Sequence, residues 1–60
     1  MREKVKELRK KKDWTQEDLA REIGVSLSTV QRWESKRTKP IRLARKELKK
    51  LFRGVGIDDD

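Results

Sequence analysis

Residues 15–34 read Thr-Gln-Glu-Asp-Leu-Ala-Arg-Glu-Ile-Gly-Val-Ser-Leu-Ser-Thr-Val-Gln-Arg-Trp-Glu, and their spacing predicts two short helices joined by a turn at Gly24. The first helix starts after Thr15, whose hydroxyl is placed to accept from the Asp18 amide while the Asp18 carboxylate returns a bond, a capping-box spacing. Leu19, Ala20 and Ile23 recur as its buried stripe. Gly24 follows the last periodic residue, where a helix end commonly needs the left-handed conformation that glycine reaches without steric cost. Val25 is apolar within the turn and is expected to plug the angle between the helices. Ser26 is a good N-cap for a second helix running to about Ser35. Helices this short are not stable alone, so the rest of the chain has to supply a platform.

The platform is small. Sixty residues make one domain at most, with a single thin core. Cysteine and histidine are both absent, which excludes disulfides, thiol nucleophiles, imidazole acid–base chemistry and the usual zinc ligands. The remaining acids sit among lysines on helix surfaces, so catalysis is not expected, and neither is a cofactor or a small-molecule substrate. No apolar run approaches the ~20 residues that span a bilayer, and the N-terminus carries no signal-peptide core. These features lead to the expectation of a cytoplasmic protein, nucleoid-associated if natural, with no membrane partner. Of the 11 acids set against 18 Lys and Arg, three lie at positions 58–60, so residues 1–57 carry +10. Such a density of positive charge attracts polyanions through counterion release. It is equally the composition of a solvated Lys/Glu surface that binds nothing.

Outward from the central stretch, residues 2–12 are expected to form a first helix with Val5 and Leu8 on one face and Lys12 laying its methylenes over the core. Trp14, just before the Thr15 cap, is placed to staple onto the helix that follows. Residues 36–40, Lys-Arg-Thr-Lys-Pro, make a basic loop ending at a proline. A last helix is expected from about Ile41 to Arg53, with Ile41, Ala44, Leu48, Leu51 and Phe52 as its apolar stripe and cations on its other faces. Domain organisation then reads as one folded unit over 1–53 and a flexible acidic tail over 54–60.

The helix after Ser26 carries the chemical information. With Val30 and Trp33 buried, a turn of about 100° per residue puts Ser28, Gln31, Arg32 and Ser35 on the opposite face. A face chosen only for helix stability favours Ala, Glu and Lys, whereas this one collects several poor helix formers. Ser and Thr can contact phosphates or base edges, Gln can read adenine and Arg can fork onto guanine, so the set suits a major groove. Leu27 can touch a thymine methyl or lean on a neighbouring helix, and both readings stand. Glu34, at the inner edge of this helix, needs a cationic partner, for which Arg9 is a candidate.

Together, Leu8-Arg9, Trp14-Thr15-Gln16-Glu17-Asp18-Leu19-Ala20, Ile23-Gly24-Val25-Ser26, Val30, Trp33-Glu34 and Pro40 resemble the phage-repressor and Cro-like helix-turn-helix regulators, often called XRE-type, over about residues 5–52. The resemblance implies an all-α, compact domain of four (four to five) helices, lambda-repressor-like, whose third helix enters the major groove of double-stranded DNA. It implies base contacts from Leu27, Ser28 and Arg32, with Gln31 close by, and phosphate contacts from Gln16 and from the loop holding Arg37 and Lys39; Thr29 and Lys36 join the expected phosphate set. It also makes Arg9 and Glu34 a structural ion pair between helices. Lys36 stands where the family usually has glycine. The fifth helix from which many members build a dimer is missing or merged into the Ile41 helix, so a monomer in solution is expected, with dimerisation on DNA left open. The idealised Lys/Glu surfaces have the character of an engineered or redesigned domain. The competing reading is a small helical scaffold or protein-interaction module with no nucleic-acid target.

Overall fold

The computed structural model describes residues 2–35 and 38–57. Four helices follow in order: α1 (Arg2–Lys12), α2 (Gln16–Ile23), α3 (Leu27–Ser35) and α4 (Arg42–Gly54), with no strand among the described residues. The all-helical architecture expected from the sequence is the one observed. Because each helix shows an apolar stripe on one side only, the four can bury those stripes only against one another. α3 packs on α1 and α2, and α4 also makes its helix contacts with α1 and α2. The core consists of Val5 and Leu8 from α1, Leu19 and Ala20 from α2, Val30 and Trp33 from α3, and Ala44, Leu48 and Phe52 from α4, closed by Ile57. Trp14, Ile23, Val25, Leu51 and Val55 are half-buried against it.

Three of the helices, α1, α2 and α4, end in one recurrent way. At the end of α1, Asp13 adopts a left-handed φ of 57°, its amide bonds Lys10 O at 3.2 Å, and the Trp14 amide bonds Arg9 O at 2.8 Å. At the end of α2, Gly24 has φ 87°, and the amides of Gly24 and Val25 both reach Ala20 O, at 2.8 and 2.9 Å. At the end of α4, Gly56 has φ 77°, its amide bonds Arg53 O at 3.2 Å, and the Ile57 amide bonds Phe52 O at 2.8 Å. Each is a left-handed residue followed by an apolar one that folds back, which satisfies carbonyls the helix would otherwise leave unpaired.

Three expectations are corrected here. Ile41 was expected to begin the core stripe of the last helix, yet it is 71% exposed. The reason is backbone: Ile41 is the residue before α4, extended at φ −66°, ψ 164°, so it leaves the helical wheel that would have turned it inward. Residues 54–57 were expected in a flexible tail, yet Gly54 ends α4 and Ile57 is buried against the core, because Gly56 supplies the turn that returns it. The acidic residues 58–60 lie outside the described residues. Lys12 also differs: it is exposed, with Nζ 5.4 Å from the centroid of the Trp14 ring, a cation–π contact in place of methylene cover over the core.

Candidate nucleic-acid interface

α2 and α3 are each fixed at their N-terminal ends by hydrogen bonds that the local sequence dictates. The Asp18 amide donates to Thr15 Oγ1 at 3.1 Å and the Thr15 amide donates to Asp18 Oδ2 at 3.0 Å, the reciprocal box. The Thr15 backbone amide first, and its hydroxyl second, hold the Asp18 carboxyl below its ordinary pKa, with Arg21 adding a weaker attraction at 3.7 Å. Ser26 begins α3: the Thr29 amide donates to its Oγ at 3.3 Å, and its hydroxyl lies 3.1 Å from Ser28 Oγ and 2.8 Å from Thr29 Oγ1. Three hydroxyls thus gather at the positive end of α3.

The orientation of α3 rests on Glu34. Its side chain is 4% exposed, a position in which a carboxylate requires strong partners. Arg9 supplies them in a two-pronged geometry, Nε to Oε2 at 2.6 Å and Nη2 to Oε1 at 2.7 Å, the strongest arrangement open to a carboxylate. Gln16 adds a third donor, Nε2 to Oε1 at 3.3 Å, and Arg9 Nη1 reaches Trp14 O at 3.4 Å. The hydrogen bonds that Arg9 donates to Glu34 raise the Arg9 pKa further above its already high range. No buried side-chain nitrogen or oxygen among the described residues lacks a partner. The network joins α1, the first residue of α2 and the end of α3.

Beyond that anchor, the outer face of α3 is open. Ser28, Gln31, Arg32 and Ser35 are exposed, Thr29 is half-buried and Leu27 is 40% exposed. Ser35 turns its hydroxyl onto its own helix, 2.7 Å from Gln31 O, so its side chain is spent on the backbone. Arg32 forms no ion pair among the described residues, and together with Thr29, Thr38 and Lys39 it lines one surface depression floored by Val25 and Trp33. Of the expected contact residues, Thr29, Arg32 and Lys39 are therefore brought together, Ser28 and Gln31 share the open face of α3, and Leu27 lies at its first turn. Gln16 is half-buried on Glu34, a contact that the sequence did not announce. Lys36 and Arg37, expected at phosphates, lie outside the described residues. Among the described residues no cluster of acids is grouped to hold a metal ion, and no helix is long and apolar enough to cross a membrane.

This geometry agrees with what comparison finds. A family model described as helix-turn-helix matches residues 5–40, more than half of the chain. The protein belongs to that helix-turn-helix family, of the XRE or Cro-like type, and is a DNA-binding domain. Neither the curated proteins nor the solved structures yield a match.

Proposed function

We propose that the domain binds double-stranded DNA sequence-specifically by laying α3 in the major groove, as a transcription-regulator-type or designed module acting by binding and not by catalysis. The observation that carries the reading is the open face of α3: Ser28, Gln31 and Arg32 project from a helix held by the Arg9–Glu34–Gln16 network. Arg32 reads guanine, Ser28 and Gln31 read neighbouring base edges, and Leu27 meets a thymine methyl or sugar edge. Gln16, Thr29, Lys36, Arg37 and Lys39 hold phosphates, Gln16 through the amide hydrogen that Glu34 leaves unused. The domain is a monomer in solution, with dimerisation on DNA left open, and acts in the cytoplasm.

The test begins with selection from a randomised duplex library. On the selected site, Arg32→Ala is expected to lose about 1–3 kcal/mol and relax preference at one base pair, while Lys39→Ala weakens all sequences alike and lowers the salt slope by about one. Equal loss from Arg32→Ala on selected and scrambled duplexes overturns the reading. Exposed Ile41 and Leu43, beside Ile23 and Val25, favour a second reading, a protein-interaction module. Absence of duplex binding near physiological salt would select it.

A further inference from the structure

The excess charge lies on two helices, α1 and α4, at a net +5 each, and on α4 most of the cations form no ion pair among the described residues. α4 holds Arg42, Arg45, Lys46, Lys49, Lys50 and Arg53 against Glu47 alone, a net +5 within residues 1–57 that total +10. Lys50 is paired to Glu47 at 3.6 Å. Arg42, Arg45, Lys46 and Lys49 form no ion pair among the described residues, and the four line one shallow depression along one flank of α4, beside the stripe of Ala44, Leu48 and Phe52.

This arrangement works against the helix that bears it. Spacings of three and four residues bring Arg42 to Arg45 and Lys46, and Lys49 to Arg45 and Lys46, and like charges so placed repel. Ile41 gives α4 no side-chain cap, and its first turn carries no acid, only a cation at the positive pole of the helix dipole. α2, by contrast, has a full capping box and two acids in its first turn, and α1 alternates Glu7 with Lys11 at 3.9 Å. An uncapped first turn together with four cations that form no ion pair among the described residues marks this flank of α4 as selected for something besides stability.

We propose that this cationic flank of α4 is a second, sequence-independent surface for the phosphate backbone of duplex DNA, apart from the face of α3 that reads bases. Arg42 to Lys49 spans about 10 Å of helix, a length over which duplex DNA presents about six charges. A membrane surface fits less well, because an interfacial helix sinks an apolar face between headgroups, and that face of α4 is already buried in the core. The backbone engaged is either a flanking stretch of the duplex held by α3 or a second duplex.

The test measures affinity for a scrambled duplex over a series of salt concentrations, so it does not depend on base reading by α3. The quadruple variant Arg42→Gln, Arg45→Gln, Lys46→Gln, Lys49→Gln is expected to lower the log–log salt slope by about 2–4, at about 0.9 for each phosphate no longer neutralised. Its far-UV circular dichroism and melting temperature should be kept or raised. Arg42→Lys with Arg45→Lys keeps the slope. A second quadruple variant, Arg2→Gln, Lys6→Gln, Lys10→Gln, Lys12→Gln, removes the same charge from elsewhere; an equal fall in slope for this one overturns the proposal, since bulk charge then suffices. An unchanged slope for the α4 variant overturns it as well, as does a loss confined to vesicles containing phosphatidylglycerol. Capture of a labelled duplex by protein loaded on an immobilised duplex, abolished in the α4 variant, assigns the second-duplex source; a fall in slope without capture assigns the flanking stretch.

Discussion

Removing Arg9 should cost more than removing Glu34, although both changes break the same pair. Glu34 is 4% exposed and Arg9 22%, so the two charges differ in what remains to them once alone. In Arg9→Met the Glu34 carboxylate stays buried with only the Gln16 bond at 3.3 Å, the situation in which breaking a buried pair costs about 3–5 kcal/mol. The side of the network open to water reduces that to about 3 kcal/mol. In Glu34→Leu the guanidinium can rehydrate and keeps its contact to Trp14 O, so about 1–2 kcal/mol is expected. Arg9→Met with Glu34→Leu leaves no stranded charge and should cost about 2–3 kcal/mol, less than the about 4–5 kcal/mol of the two changes summed, a coupling of about 2 kcal/mol. Against a total stability of about 3–9 kcal/mol for sixty residues, the first change alone leaves a marginal domain. Its midpoint should fall by roughly 12–24 °C, at about 4–8 °C per kcal/mol. Thermal and urea unfolding followed at 222 nm decide the matter. If Arg9→Met and Glu34→Leu are equally destabilising, or the double variant is as unstable as their sum, the reasoning from unequal burial fails.

The left-handed positions make an opposed pair of tests. Gly24→Ala should destabilise by about 1 kcal/mol through backbone strain alone, because an added Cβ there meets nothing within 4 Å. Asp13→Gly, at φ 57°, should stabilise by about 0.5–1 kcal/mol in the same urea titration. Ile41→Ser gives α4 the cap it lacks and should raise stability by about 1 kcal/mol, since the isoleucine it replaces is largely in water. For Asp18, whose folded pKa is lowered, the stabilisation is present above its ordinary pKa of about 4 and is lost as pH falls through the lower folded value. Asp18→Asn should therefore flatten the melting temperature measured from pH 6 down to pH 2 while lowering it at neutral pH.

Much of the fold was legible because its determinants are local. Thr15 and Asp18 are three residues apart, Gly24 ends the periodic run of α2, and the helical spacing of Val5, Leu8, Leu19, Ala20, Val30, Trp33, Ala44, Leu48 and Phe52 is also the core. Ile41 was misread because periodicity records only angle: its place on the wheel is apolar, but the residue before a helix is extended and its side chain leaves the wheel. Ile57 was missed although its signal was present, a glycine followed by an apolar residue, the same pattern that Gly24-Val25 made readable. Asp13 lacked the glycine, and aspartate, although enriched among the non-glycine residues that adopt a left-handed φ, marks such a turn less sharply. At the interface, the polar face of α3 followed from Val30 and Trp33 by rotation. The bond from Gln16 to Glu34 joins residues 18 apart in sequence and depends on how helices pack, which spacing does not encode.

The three helix ends written with a left-handed residue bear on how fast the domain assembles. In each, the closing bond joins residues five apart, Trp14 to Arg9, Val25 to Ala20 and Ile57 to Phe52, so the loop to be closed is nearly the shortest a chain can make. Loops of about ten residues close in about 10–100 ns. Helix length and the direction of the next segment can thus be set before distant segments meet. A helical domain so punctuated should fold in a single phase on the order of microseconds to milliseconds. Its slowest step should be the meeting of α4 with α1 and α2, across the longest separation that the core has to bridge.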